Sequence, residues 1–227
     1  MPKYKNHPKF DGIYYRRKPR QYFTVNYDEG RSIYGEKLKD YGDIELRRWD
    51  PYRSKLCAAL QNNARSIFVH RKSRVLYLGA SSGTTVSHLS DIATEGVIYA
   101  VEFSPRSIRE LVQNCTDRPN VVPILADANH PYEYSKYISG DVDVVYQDVA
   151  QPNQTDILMK NAKYYLRKGG EFIYCIKARS IDSTGNPNHI FKEQQKILEE
   201  NDFHVSDDVN ISKYQTDHRV FFGNINE

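Results

Sequence analysis

From residue 73 onward one pattern repeats: a short apolar run rich in β-branched and aromatic residues, a loop, then a segment with helical spacing. Strands are expected at Arg74–Leu78, Val97–Glu102, Val121–Leu125, Val142–Gln147 and Glu171–Ile176. Helices are expected between them at Thr84–Ala93, Ser104–Cys115, Gln154–Leu166 and Pro187–Asn201, with a short one near Tyr132–Tyr137. Near-continuous apolar strands alternating with helices specify a doubly wound α/β sheet, because helices must cover both faces. Ser104 opens its helix in a capping-box-like way, and Lys168-Gly169-Gly170 reads as a helix stop. No helix separates His204–Ile211 from Arg219–Gly223, so these read as an antiparallel hairpin at one sheet edge.

The first part of the chain has another texture. Short alternating segments at Gly12–Tyr15, Tyr22–Val25, Ser32–Tyr34 and Ile44–Leu46 are punctuated by Asp28-Glu29-Gly30 and Tyr41-Gly42-Asp43. They predict a small domain of β-hairpins over residues 1–48, leaving 49–227 as the α/β domain. A helix is expected near Asp50-Pro51, with Asp50 as cap and Pro51 in its first turn; Leu56, Ala59 and Leu60 give its apolar side. Charge is unevenly spread. Residues 1–20 hold seven Lys/Arg (Lys3, Lys5, Lys9, Arg16, Arg17, Lys18, Arg20) against Asp11, a net +6 in a chain of net +3. With its tyrosines, this end suits either phosphate contact with base stacking or a solvated surface arm. No apolar run approaches the ~20 residues of a membrane helix, and no leader segment is read, so a cytoplasmic protein with no membrane partner is expected. Cys57, Cys115 and Cys175 are far apart and odd in number, which argues against a disulfide framework or metal site.

Chemistry concentrates at the expected strand ends. The first strand runs into Gly79-Ala80-Ser81-Ser82-Gly83-Thr84-Thr85, a turn that lets a ligand approach the backbone. Its two glycines fall short of the three-glycine G-x-G-x-x-G fingerprint, which disfavours a nicotinamide dehydrogenase. The second strand ends in Glu102, suited to ribose hydroxyls; the third leads to Asp127-Ala128, where a carboxylate meets an adenine amino group; the fourth ends at Asp148. Three such acids after a glycine loop fit S-adenosylmethionine, a nucleoside with an amino-acid tail and no phosphate. Strand-end caps are the plainer reading of any one of them.

The fourth and fifth strands run into Asp148-Val149-Ala150-Gln151-Pro152 and Lys177-Ala178-Arg179-Ser180. A lysine at the end of a buried strand needs a partner, and Asp148 on the neighbouring strand is the expected one. A structural salt bridge and a catalytic pair are both open on this ground. A ribose 2′-hydroxyl attacking a sulfonium methyl needs positioning, a proton acceptor and support for the developing alkoxide. A desolvated lysine can be that acceptor, and Lys177 is the one expected to act so. Lys55 and His218 are candidates for the second cation and the hydrogen-bonding group, though each alone also reads as an ordinary surface or edge residue.

Taken jointly, Arg48-Trp49-Asp50-Pro51-Tyr52-Arg53-Ser54-Lys55-Leu56, the Gly79–Thr85 loop, Val101-Glu102-Phe103-Ser104-Pro105-Arg106, Asp148-Val149-Ala150-Gln151-Pro152 and Lys177-Ala178-Arg179-Ser180-Ile181-Asp182 resemble the fibrillarin family from about residue 8 to the end. The resemblance implies a Rossmann-like methyltransferase sheet of seven mostly parallel strands behind a small β domain. It implies a catalytic tetrad of Lys55, Asp148, Lys177 and His218. It also implies an S-adenosylmethionine site at Gly79, Ala80, Ser81, Gly83, Thr84, Thr85, Glu102, Phe103, Asp127, Ala128, Asp148 and Gln151. The activity implied is 2′-O-methylation of rRNA, with tRNA as a further target. The implied partners are a box C/D guide RNA, a Nop-domain scaffold protein and a kink-turn-binding subunit like a ribosomal protein. The Gly/Arg-rich extension of eukaryotic members is not seen, so the resemblance is to the archaeal form. Delegating recognition to a guide suits the modest net charge, and weak RNA binding by the isolated chain is expected. A methyltransferase for proteins or small molecules, and a non-catalytic scaffold, are the rival readings.

Overall fold

The computed structural model describes residues 4–225, so Lys3 of the basic stretch lies outside the described residues. Five strands come first: β1 (Lys5–Asn6), β2 (Ile13–Arg16), β3 (Gln21–Val25), β4 (Leu38–Tyr41) and β5 (Ile44–Trp49). They form an antiparallel sheet in the order β1-β2-β3-β5-β4. The expected strand at Ser32–Tyr34 is instead a loop. The Glu36 carboxylate accepts the Ile33 and Tyr34 N–H groups, satisfying locally the donors a ladder would have used.

Helix α1 (Lys55–Gln61) starts later than Asp50-Pro51 suggested. Asp50 accepts the Tyr52 N–H and closes a turn; Ser54 is the true cap, accepting the Cys57 N–H. All of Leu56–Leu60 is buried.

The second sheet is built from β6 (Arg74–Leu78), β7 (Val97–Glu102), β8 (Val121–Leu125), β9 (Val142–Gln147), β10 (Leu166–Lys177), β11 (Phe203–Asn210) and β12 (His218–Ile225). Its order is β11-β12-β10-β9-β6-β7-β8: five parallel strands, then β12 antiparallel to both β10 and β11. This is the seven-stranded sheet with a C-terminal antiparallel hairpin that was expected. Helices α2 (Thr84–Ile92), α3 (Pro105–Asn114), α4 (Gln154–Tyr165), α5 (Ala178–Ile181) and α6 (Pro187–Glu199), with the 3₁₀ turn Pro131–Tyr137, connect the strands. Ser104 caps α3 through the Ser107 N–H, but no Glu or Gln returns the bond; the Ser104 N–H goes to Glu102 instead. Lys168-Gly169-Gly170 does not end α4. The chain enters β10 at Leu166, and these residues form an irregularity inside the strand, with Gly169 at a φ of +67°.

Chain order reverses between β6 and β9, which are adjacent. This is the switch point outside whose carboxyl edge such sheets bind ligands. One face of the large sheet and the small sheet share a core, in which Ile13, Tyr22 and Trp49 pack with α1 and α2. Among the described residues no helix is long and apolar enough to cross a membrane.

Candidate active site

Gly79 leaves β6 with a φ of +80°, and a Cβ there would stand 2.4 Å from the Asp148 carbonyl oxygen. Only glycine allows this backbone path and this approach of the β9 strand end. The turn presents the Ser81 N–H to Glu102 at 2.8 Å, while the Ser104 N–H takes the other oxygen at 2.9 Å. Glu102 is thus buried and aimed, with lone pairs to spare on both oxygens. Asp127 accepts the Asn129 backbone and side-chain N–H groups, both at 2.9 Å and both on Oδ1. Burial opposes this, but the two bonds win and hold the carboxyl below its usual range.

These strand ends surround a cavity of about 310 Å³. Of the residues expected to hold a cofactor, Gly79, Ser81, Glu102, Phe103, Asp127, Ala128, Asp148 and Gln151 line it. Ala80, Gly83, Thr84 and Thr85 do not; they shape the turn from behind. Thr85 donates its hydroxyl to Ser54 at 3.0 Å, tying α2 to the cap of α1, and Gly83 packs against Leu111. Apolar walls at Val101, Ala126, Val149 and Ile157 were not anticipated. Three carboxylates and no Lys, Arg or His line the cavity among the described residues. A phosphate would be repelled there. A ligand with hydroxyl and amino donors, an apolar ring and a positive charge matches each wall.

At the rim, the Lys55 ammonium lies 2.7 and 2.9 Å from the two Asp148 oxygens, both side chains about one-fifth exposed. Burial would lower the lysine, but the Asp148 carboxylate more than offsets it and raises Lys55 above its ordinary value. The expected pairing of Asp148 with Lys177 is therefore corrected: α1 brings Lys55 to that carboxylate first. Lys177 is only half-buried, so it needs no charged partner of its own. Lys177 is the direct cross-strand partner of His218 in the β10–β12 ladder, which puts both on one face. His218 Nδ1 lies 2.6 Å from the Thr216 carbonyl oxygen, which can only accept, so Nδ1 carries the proton and Nε2 the lone pair. Burial lowers the imidazole, and the nearby Lys55 and Lys177 cations add to this against the Thr216 bond and Asp148. All four residues expected at the catalytic edge thus meet, in a different pairing.

The sequence profile of the fibrillarin family matches residues 4–227. The chain belongs to the fibrillarin family. A fibrillarin-like rRNA/tRNA 2′-O-methyltransferase of Methanocaldococcus jannaschii is 50% identical over 200 residues, 88% of this chain and 86% of that protein. Aeropyrum pernix fibrillarin, crystallised with natively bound S-adenosyl-L-methionine, superposes with a TM-score of 0.89 at 39% identity, over 97% of each chain. The crystal structure of a fibrillarin/Nop5p complex matches with a TM-score of 0.87 at 40% identity, over 95% of this chain and 98% of that one.

One residue of this fibrillarin fold's site was not anticipated. Gln154, at the start of α4, is fully buried. Its Nε2 donates to the Gln151 carbonyl at 3.0 Å and the Lys177 carbonyl at 3.2 Å, and its Oε1 accepts the Lys177 N–H at 3.0 Å. It joins the loop that follows Asp148 to the strand end that carries Lys177. A glutamine opening a helix carries no sequence signal for this, since such positions are usually solvated.

Proposed function

We propose that this chain catalyses S-adenosylmethionine-dependent 2′-O-methylation of ribose in rRNA and tRNA, at nucleotides selected by a box C/D guide RNA. A Nop-domain scaffold protein carries it, a kink-turn-binding subunit anchors the guide, and the assembly works in the cytoplasm. The observation that carries the reading is a junction: the acid-lined cavity ends at Asp148, and the same carboxylate holds the Lys55 ammonium at 2.7 Å. Family membership, the cofactor bound in the Aeropyrum pernix relative and the Nop5p complex of another support it.

When bound, S-adenosylmethionine supplies an electrophilic methyl group. Glu102 would take its ribose hydroxyls and Asp127 its adenine amino group. Val101, Phe103 and Ile157 would cover the base, and Asp148 and Gln151 would face the cationic end. The remaining chemistry belongs to the RNA 2′-oxygen, which gains the methyl group and gives up its proton. Lys55, kept protonated by Asp148, sets a fixed positive charge where that oxygen becomes negative. His218, neutral with its lone pair on Nε2, is the group this geometry favours as proton acceptor. The earlier expectation for Lys177 rested on full burial, which the side chain lacks; its role here is a second cation beside His218.

The test is reconstitution with scaffold, kink-turn protein, guide, complementary RNA and methyl-labelled S-adenosylmethionine. Label at the guided 2′-hydroxyl is expected. Label in protein or metabolite and none in RNA would favour the rival substrate classes. Failure to bind the cofactor would favour a non-catalytic scaffold.

A further inference from the structure

A second cavity, about 580 Å³, shares no lining residue with the cofactor pocket. It lies between the small sheet and the end of α1. Its floor is apolar, made by Phe10, Tyr22, Leu60 and Ala64. The four-residue turn between β2 and β3 forms one wall and is clamped to the helix end. Arg20 donates to the Gln61 carbonyl at 3.0 Å and to Asn63 Oδ1 at 2.8 Å; Gln61 returns a bond to the Arg20 carbonyl at 3.1 Å, and the Tyr22 hydroxyl donates to the Leu60 carbonyl at 3.1 Å. The wall is therefore fixed, not a loose arm.

Charge on this cleft has one sign. Lys9, Arg17, Lys18, Arg20 and Arg65 line it, and no Asp or Glu does. Lys9, Arg17 and Lys18 are exposed and have no carboxylate within ion-pair distance among the described residues. Burial, with the Lys9 and Arg20 cations adding to it, holds the His7 imidazole below its ordinary range. Unpaired cations beside a desolvated floor leave an anion-shaped demand. Aromatic faces accompany it: His7 stacks on Phe10 at 4.3 Å, and Tyr15 stands beside them.

The cleft also connects to the catalytic edge. Tyr15 and Tyr214 pack against the same core as Tyr22, and Tyr214 meets the exposed Tyr52 ring at 5.1 Å. Tyr52 precedes Lys55 by one turn, and Gln215 binds its carbonyl at 2.8 Å just before His218. Seven-residue α1 separates Lys55 from the cleft, ~10 Å at 1.5 Å per residue.

We infer that this cleft is an RNA-backbone site that grips phosphates of the strand running from the reacting ribose, along Tyr52 and Tyr214, to Lys9, Arg17 and Lys18. The inference rests on the proposed RNA substrate. It accounts for the concentration of positive charge at the N-terminal end. An acidic protein segment would satisfy the cations, but would have no use for the aromatic faces or the track to His218.

The test is binding of a fluorescent single-stranded oligoribonucleotide by the full chain over a salt series, with wild type, the double variant R17A/K18A and the charge-preserving swap R17K/K18R. Loss of two phosphate contacts is expected to lower the slope of log affinity against log salt by ~1.4, at about 0.7 per contact on single strands. The swap should restore the slope, and cofactor affinity should not move. In guided methylation the double variant should raise the KM for RNA and leave kcat alone. An unchanged slope overturns the inference. So does an unchanged RNA slope with weakened binding of the scaffold protein, which would assign the cleft to an acidic protein segment. Guided label with an unmoved slope removes the cleft and keeps the methyltransferase reading; a lowered slope with no guided label does the reverse.

Discussion

Lys55 reaches across from α1 to a carboxylate that ends β9, 93 positions away in sequence, and makes both of its oxygens equivalent partners. Such a pair fixes the lysine as a cation and leaves proton acceptance to a neighbour. His218 meets that need, since Thr216 fixes its tautomer and burial keeps it neutral. Methyl transfer should therefore fall as pH drops through a value below the ordinary imidazole value of 6.5, because protonation removes the Nε2 lone pair. It should hold steady above that value. A single-turnover pH–rate profile checks this, and His218→Gln should abolish that limb and cost about 10²–10⁴-fold in rate. At Gly79 the constraint is steric. Gly79→Ala imposes a φ of +80° on an L-residue and drives its Cβ to 2.4 Å from the Asp148 carbonyl. The positive φ alone costs about 1–2 kcal/mol, and urea denaturation with a cofactor titration should reveal both lost stability and weakened binding. Glu102, Asp127, Asp148, Lys177 and His218 were legible in the sequence as residues at or beside strand ends, and Lys55 as a candidate from the first helix. Which lysine Asp148 holds was not, because α1 enters from outside the strand register that the pattern describes.

Elements set the precision of the site. Gln154 ties the β9–α4 loop to the end of β10 with three hydrogen bonds of 3.0 to 3.2 Å. Removing it with Gln154→Ala should let Lys177 and the Asp148 loop drift; displacement by about 1 Å can cost about 10²-fold in rate. A fall in kcat with near-normal cofactor affinity is the expected signature; an equal loss of both would mean collapse of the cavity. The parallel strands and α2, α3, α4 and α6 were readable because each carries its own apolar period, with Ser104 and Asn186 capping α3 and α6. The misread elements are those decided by competing hydrogen bonds. Glu36 captures the N–H groups of the expected strand at Ser32–Tyr34. Ser54 outcompetes Asp50 as cap of α1 because Asp50 spends its side chain on the Tyr52 N–H. Lys168-Gly169-Gly170 serves a strand irregularity, where glycine signals look the same as a helix stop.

The whole molecule depends on one polar seam between its two sheets. Asp91 on α2 binds Arg47 of the small sheet at 2.9 Å and Arg118 at 2.6 Å, all three side chains fully buried. Thr24 donates to Asp91 at 2.6 Å and pairs with His88 Nδ1 at 2.7 Å, while Tyr34 meets Nε2 at 2.7 Å. Asp91→Ala would leave the buried Arg118 guanidinium without a carboxylate and Arg47 with Glu36 alone, and should cost about 3–5 kcal/mol in urea unfolding. His88 is held far below 6.5 by burial and by the Arg47 and Arg118 cations. The unfolded chain therefore binds more protons as pH falls below 6.5, so stability should decline there, and His88→Gln should flatten that decline. No sequence period announces this seam; its charged members read as surface residues until the two sheets meet. The same arrangement seats α1, and through it Lys55, against the large sheet. The most direct test of the account compares wild type with Lys55→Ala in single-turnover guided methylation, alongside cofactor titration. The expected result is a loss of about 10²–10³-fold in methyl transfer with cofactor affinity little changed, since Lys55 stands outside the cavity. Full transfer by the variant, or label anywhere but the guided 2′-oxygen in wild type, would contradict it.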